Sequence, residues 1–562
     1  IENLRKTYCE KFELPYQAIT NKIEDFRAKR ITSYLNLLQE LAEKKFKQIK
    51  DSTLETGQEI KTYLNMLPDA SALKEKFAEL TSQHTSWNEI RNWADQHLTM
   101  GSIDVNIMTK LDKVNYKEGE QLPNEYNDAH AALRGFAQSN LESSLILSAG
   151  MNPRLYSYME NFDDFYPDEK GYIKKKIVIK VSDYRSALIQ GKFLAKKGLW
   201  VSEYRIESGL NCGGHAFATE GFLMGPILQE FKDNKQDLIE TVYGILLSAL
   251  ADRNKIQPIT ELDLKITAQG GVGTKDEHQF LIDHYGLDSV GWGSPFLLVP
   301  EATTVDEVTM HKLVQATEKD LYLSNISPLG VPFNNLKGNS KDLEKDKKIE
   351  SGRPGSPCPK EFLALNNEYS DKTMCTASRQ FQRNKIKELD KEDVSPEVYK
   401  SKFQRIVEKS CLCMGLGAAT EQIHGMETDR PAKGVAVCPG PNMAYFSKTM
   451  SLKEITDHIY GRIDVLSHKS RPHMFLKELK LYADHLKTKI EETHGELNKR
   501  QEKYLLSFTE NMKEGVNYYQ QLFSKMKDKF DTSKSSVMND LQSHMMYLEY
   551  LENKIKKLTQ TS

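Results

Sequence analysis

Between residues 99 and 340 the chain alternates short β-rich runs with longer helical stretches, and that alternation narrows its fold more than any other feature. The runs are IDVNI (103–107), LIL (145–147), IVI (177–179), LWV (199–201), LKI (264–266) and SVG (289–291). Strands this short, separated by helix-length segments, are too far apart to be hairpins. They read as parallel strands joined by helical crossovers. In such a fold the sites lie at the carboxyl ends of the strands, so the residues just after each run become the first candidates for function.

Two of those run ends are glycine-rich. ITAQGGVGT (266–274) reads as a strand entering a turn at Gly270 and Gly271, with a helix beginning near Asp276. Eighteen residues after Gly273 a shorter version follows, SVGWGS (289–294), with Gly293 and Ser294 after Trp292. Glycine lets backbone N–H groups close around an anion, and a following helix N-terminus favours negative charge. Either turn alone is only a tight turn; two on consecutive strands make a phosphate cup. Trp292 either walls that pocket or is a buried aromatic. A third stretch, ESGLNCGGHAFATEG (207–221), sets Cys212, Gly213, Gly214 and His215 together soon after LWV. An ordinary histidine titrates near neutrality, which suits proton transfer.

The flanking sequence differs in texture. Residues 1–98 carry apolar positions such as Leu35, Leu38 and Leu41 at helical spacing. Residues 341–450 open with a charged run, KDLEKDKKIE, that reads as a linker, and then hold five of the seven cysteines. Residues 451–562 return to helical spacing at Leu476, Leu479, Ala483, Leu486 and Ile490, then at Leu505, Phe508, Met512 and Val516. Those stripes read as long paired helices that also serve homo-oligomerisation. A net charge of −2 argues against a nucleic-acid binder. The longest apolar stretch, 238–250, is interrupted by Glu240, Thr241 and Tyr243 and is too short to span a bilayer. Seven cysteines, odd in number and unevenly placed, do not form a secreted disulfide framework and point to the cytoplasm. The chain begins at Ile1, so either a segment has been removed or upstream residues are missing.

Taken in order, these motifs resemble a known superfamily. KKIVIKVSDYRSALIQGKFLAKKGLWVSEYRIESGLNCGGHAF is similar to the nitronate monooxygenase pattern, in which strand, helix and strand lead into a Gly-Gly-His turn. ITAQGGVGTKDEHQFLIDHYGLDSVGWGSPFLLVPEATTVDE resembles that family's flavin-phosphate region. It is closer still to the trans-acting enoyl reductases of polyunsaturated fatty acid and polyketide synthesis. The likeness extends to LYLSNISPLGV (321–331) and, more faintly, to IDVNIM (103–108) and LILSAGMNP (145–153).

The resemblance implies an FMN-binding (β/α)8 TIM barrel over 99–340, with a helical N-terminal region, a cysteine-containing segment and a long helical C-terminal region. Gly270, Gly271, Gly293 and Ser294 would hold the FMN phosphate, and Gly213 and Gly214 would let the backbone pass close to the cofactor. Asn106 matches an asparagine near the flavin, or caps a turn. Lys180 faces the flavin as a cation, or is a surface residue at a strand end. His215 matches the histidine that acts as base in nitronate oxidation or as a polar contact in enoyl reduction. Cys212 is a substrate contact, a redox-sensitive thiol or a small buried residue. The relatives open with a glycine- and methionine-rich strand that has no counterpart in residues 1–98. The expected function is an FMN-dependent oxidoreductase acting on a small-molecule or acyl-type substrate. The alternative is a barrel kept as a non-catalytic assembly scaffold. No G-x-G-x-x-G fingerprint follows a strand, so a nicotinamide would have to act at the flavin face.

The cysteines after the barrel are Cys358, Cys375, Cys411, Cys413 and Cys438, at spacings of 17, 36, 2 and 25. Thiolates are soft ligands for iron–sulfur clusters and zinc, and four suffice for either. The spacings match no short ferredoxin or zinc-ribbon signature, so two readings stand. One is an iron–sulfur cluster exchanging electrons with the flavin and with an electron-transfer partner; the other is a set of buried free thiols.

Overall fold

The computed structural model describes residues 1–52, 57–83, 85–148, 150–218, 220–358, 360–426, 434–467, 471–493, 497–525 and 534–560; Ala149 and Thr219, within two of the motifs above, lie outside them. All six runs fall in or beside strands of one parallel sheet. Its strands are β1 (Val105–Met108), β4 (Ser143–Ser148), β5 (Lys175–Val181), β6 (Val201–Glu207), β7 (Lys265–Gln269) and β8 (Ser289–Gly291), side by side in that order. Two small antiparallel pairs stand apart: β2 (Tyr116–Lys117) with β3 (Glu120–Gln121), and β9 (Leu321–Ser324) with β10 (Phe333–Leu336). The molecule is thus a mixed α/β protein with a six-stranded parallel sheet and many helices.

The two faces of the sheet differ sharply. Leu145, Leu147, Ile177, Ile179, Tyr204, Ile206, Ile266 and Ala268 are buried and belong to one large hydrophobic core. Each leucine and isoleucine among them contributes roughly 1.5–3 kcal/mol of burial. Helices such as Tyr184–Ala195 and Met224–Asp252 supply the cover. Across β6 and β7 the other face is polar. Arg205 pairs with Glu203 at 2.8 Å, Thr267 donates to Glu203 at 2.6 Å, and Gln269 donates to Glu207 at 2.8 Å. This alternation explains one correction. The apolar LWV at 199–201 is only the lead-in, and the strand itself runs Val201–Glu207, where every second residue is polar because it faces this side.

The flanking regions are joined to the sheet. The helix Phe26–Asp51 lies on the helix Asp128–Ala137, where Thr32 donates to the Gly135 carbonyl at 2.9 Å and Arg134 grips both oxygens of Asp25. Among the described residues no strand precedes Val105. KDLEKDKKIE is no linker. It lies within the helix Ser340–Glu350, capped by Asn339, with Asn335 and Asn339 both donating to Asp342 at 2.8 Å. The buried carboxylate of Asp342 anchors a sequence whose charge pattern suggested exposure.

At the C-terminus the helices Met474–Glu491, Lys499–Lys525 and Lys534–Gln560 join the same core as the sheet. Leu476, Leu479, Ala483, Leu486 and Ile490 are buried there, as are Leu505, Phe508, Met512 and Val516. The stripes expected to face a second copy are therefore covered by this chain. Among the described residues no helix is long and apolar enough to cross a membrane.

Candidate active site

The strand registers Glu207↔Gln269 and Gln269↔Gly291 bring the carboxyl ends of β6, β7 and β8 level. Two cavities open there and share Glu207 as a common wall. One, of about 320 Å³, is lined by Asn211, Cys212, Gly213, Gly214, Gly270, Gly271, Gly293 and Ser294, together with Trp292 and Cys438. The other, of about 170 Å³, is lined by Lys110, Lys180, Ser208 and His215. Glycines from all three sequence turns thus face one space.

The glycine turn owes its shape to groups behind it. The carbonyl of Gly271 accepts from Arg471 at 2.5 Å and that of Val272 from Asn442 at 2.8 Å. In a trans peptide the N–H opposes the preceding carbonyl, so the N–H of Val272 is turned away from Arg471. The N–H groups of Gly271, Val272 and Gly293 donate to no protein acceptor among the described residues. Gly271 has φ +78, and a Cβ there would meet Asn211 Nδ2 at 2.0 Å, so both conformation and space demand glycine. Gly293 differs, because a Cβ there would meet nothing within 4 Å and would project into open space. Arg471 is itself fixed by a 2.7 Å ion pair to buried Glu277, whose other oxygen accepts from Gly273 N. The Arg471 guanidinium and its hydrogen bonds hold the Glu277 carboxyl below the usual range against the opposing effect of burial.

Several sequence candidates acquire definite surroundings. His215 hydrogen-bonds through Nε2 to Ser327 Oγ at 2.7 Å and packs edge-on against Phe333, 5.0 Å between rings. Burial, with Lys110 nearby, pushes its pKa down to about 4, so it is neutral at pH 7. The expectation of a histidine titrating near neutrality is corrected on that ground. Lys180 forms a 2.8 Å ion pair with Glu207, so it meets the cavity already compensated in charge. The Cys212 thiol, raised by burial and by Glu207, stays protonated and donates to Gln269 O at 3.6 Å, which does not suit a redox-sensitive thiolate. Ser294 uses its hydroxyl to accept from Gly440 N at 2.8 Å. Asn106 is exposed in the middle of β1, opposite Ile146, and lines neither cavity. Of the five later cysteines, Cys438 lines the larger cavity, its carbonyl accepting from Gly214 N at 3.1 Å. The other four gather elsewhere.

Four residues of the site had no signal in the motifs. Lys110 stands two residues past the end of β1 and could have been found by the strand-end rule. Arg471, Asn442 and Glu478 come from distant segments with no local pattern. Glu478, on the helix Met474–Glu491, accepts from Ser208 Oγ at 2.5 Å, from Met224 N at 2.9 Å and from the Tyr519 hydroxyl at 3.4 Å. Burial pushes its pKa up to about 7.

No protein-family model matches the chain, and no curated protein does. Among solved structures it is similar to the enoyl reductase domain of MlnA from the macrolactin biosynthesis cluster of Bacillus amyloliquefaciens. That match has 15% identity and a TM-score of 0.35, and covers 58% of this chain and 77% of that one. Similarity at this level places no constraint on activity.

Proposed function

We propose that the chain is an FMN-dependent oxidoreductase of the reductive, enoyl-reducing kind, its six-stranded sheet being the arc of an FMN-binding (β/α)8 barrel. The observation that supports this most is that an N–H-lined cavity and a polar one lie side by side, with Glu207 as their common wall. The residues fit FMN. Unpartnered amides of Gly271, Val272 and Gly293 suit a phosphate, and the buried Oδ1 of Asn211, which has no partner among the described residues, offers an acceptor to a ribityl hydroxyl. Bound there, FMN would supply hydride transfer.

The chain's own groups then divide the remaining work. Lys110 and neutral His215 border the smaller cavity, where a substrate carbonyl oxygen gains from a cation and a hydrogen bond as charge builds on it. A histidine with a pKa of about 4 is a poor base at pH 7, which favours this polar role over proton removal from a nitroalkane. Glu478 holds a proton behind Ser208, whose hydroxyl it orients at the cavity wall.

Anaerobic protein loaded with FMN, reduced by dithionite and mixed with a crotonyl thioester tests the proposal. Reoxidation of the flavin in a single turnover, slowed about 10²-fold or more in His215→Ala with flavin retained, is the expected result. Reoxidation by nitroalkanes or oxygen with no response to the thioester would overturn it. A chain that binds FMN but turns nothing over would support the scaffold alternative.

A further inference from the structure

Behind Ser208 lies a buried acid with no counter-ion. Glu478 is enclosed in the core, and among the described residues no lysine, arginine or histidine pairs with it. Lys477, its neighbour in sequence, turns instead to Glu318 at 2.9 Å. The titratable groups within electrostatic reach of Glu478 are Tyr285, Tyr519 and Cys212, all neutral at pH 7 and pushed further that way by burial. An ionised carboxylate so placed, with only neutral donors around it, is strongly disfavoured, and the protonated form takes its place.

Hydrogen-bond valence then fixes where the proton sits. Oε2 of Glu478 already accepts from two donors, Met224 N at 2.9 Å and the Tyr519 hydroxyl at 3.4 Å. The Tyr519 oxygen itself accepts from Gly225 N at 3.1 Å, which leaves its hydrogen for Glu478. The acid hydrogen therefore belongs on Oε1, whose partner 2.5 Å away is Ser208 Oγ. As a carboxylate Glu478 accepts from Ser208; as an acid it donates across the same contact. In the acid form both lone pairs of Ser208 Oγ are taken, one by Glu478 and one by Asn211 N at 3.2 Å. The serine hydrogen then has no other protein acceptor among the described residues, and is left for whatever enters the smaller cavity. Ser182 and Ser186, the other hydroxyls of that cavity, have no such store behind them: Ser182 donates to the part-exposed Asp183, and Ser186 accepts from Gln190.

We propose that Ser208 is the acid that protonates the α carbon of the enoyl substrate, with Glu478 as the positioning residue that resupplies its proton. This rests on the enoyl-reducing reading above. The hydride that reduced flavin supplies forms the β C–H bond, and the electrons of the C=C bond move toward the carbonyl oxygen beside Lys110 and His215. As the α C–H bond forms, the Ser208 O–H bond breaks, and the Glu478 Oε1–H bond breaks to restore the serine hydroxyl. The substrate has then gained one hydride and one proton, and Glu478 is a carboxylate accepting from Ser208. Once product leaves, a proton from water in the cavity returns through Ser208 to Glu478.

Two readouts on the full chain test the assignment. In the flavin-free chain at pH 6, infrared spectroscopy should show a protonated-carboxyl C=O stretch that disappears in Glu478→Gln and shifts in Ser208→Ala. Absence of that band overturns the assignment whether or not flavin binds. In the FMN-loaded, dithionite-reduced chain, Ser208→Ala and Glu478→Gln should each slow reoxidation by a crotonyl thioester about 10²-fold or more, with FMN affinity unchanged. The wild-type rate should fall as pH rises through about 7, where Glu478 loses its proton, and that fall should be absent in Glu478→Gln. Glutamine keeps the shape and a hydrogen bond to Ser208 but has no proton to give, so a merely structural role would leave the rate unchanged. Turnover in both variants as fast as in the wild type overturns this assignment alone. A wild type whose flavin stays reduced in the presence of the thioester overturns the enoyl-reducing reading, and this assignment with it.

Discussion

Replacing Glu478 with glutamine probes how the C-terminal helix is wired into the site. Glu478 is 2% exposed, and burial raises its pKa from 4.5 to about 7. Because the folded value lies above the unfolded one, its contribution to stability is complete below pH 4.5 and is lost as pH rises through 7. At about 1.36 kcal/mol per pKa unit, the loss is about 3 kcal/mol. Glutamine has the shape of the protonated acid: its carbonyl can accept from Met224 N and its amide can donate to Ser208 Oγ. Glu478→Gln should therefore match the wild type at pH 4.5 and exceed it by about 3 kcal/mol at pH 8. Urea unfolding followed by circular dichroism at pH 4.5, 6 and 8 gives the comparison. Taking the difference at each pH cancels His215, His473 and His485, all pushed down to about 4 in both chains. Stability curves that run parallel across the whole range would refute the reasoning.

The two glycine positions should separate fold from ligand. Gly271→Ala meets both positive φ and Asn211, and should lower stability by roughly 2 to 4 kcal/mol in the same unfolding assay. Gly293→Ala should leave stability within about 0.5 kcal/mol yet weaken FMN binding at least about tenfold, read by fluorescence titration. Arg471→Met leaves buried Glu277 uncompensated and should cost about 3 to 5 kcal/mol, far more than a surface arginine would. The ratio of wild-type to His215→Ala turnover should stay flat from pH 6 to 8 and decline only toward pH 4, the reverse of a profile set by an ordinary histidine.

The local features were legible because they are written in adjacent residues. Five of the six strands showed as apolar runs, and the glycine-containing turns at 270–271 and 293–294 marked the ends of β7 and β8. β6 was harder to see, since Glu203, Arg205 and Glu207 interrupt its hydrophobicity to serve the polar face. The helix over KDLEKDKKIE was hidden for a related reason: Asp342 is buried among asparagines, and charge in sequence does not reveal burial in space. Long-range partners were beyond reach. Nothing near Arg471 or Glu478 announces that one supports a turn two hundred residues earlier, or that the other holds Ser208. His215 was recognisable as a site residue, but its depressed pKa depends on Lys110 and on burial. The cysteines could be counted but not sorted, because only the fold shows that Cys438 borders the glycine cavity while four others meet.

The most direct test of the central claim is calorimetric titration of the flavin-free chain with FMN, alongside Gly293→Ala. The account predicts saturation at one FMN per chain, with affinity sharply reduced in the variant and the fold unchanged. No binding, or binding that is indifferent to a methyl group at position 293, would contradict it.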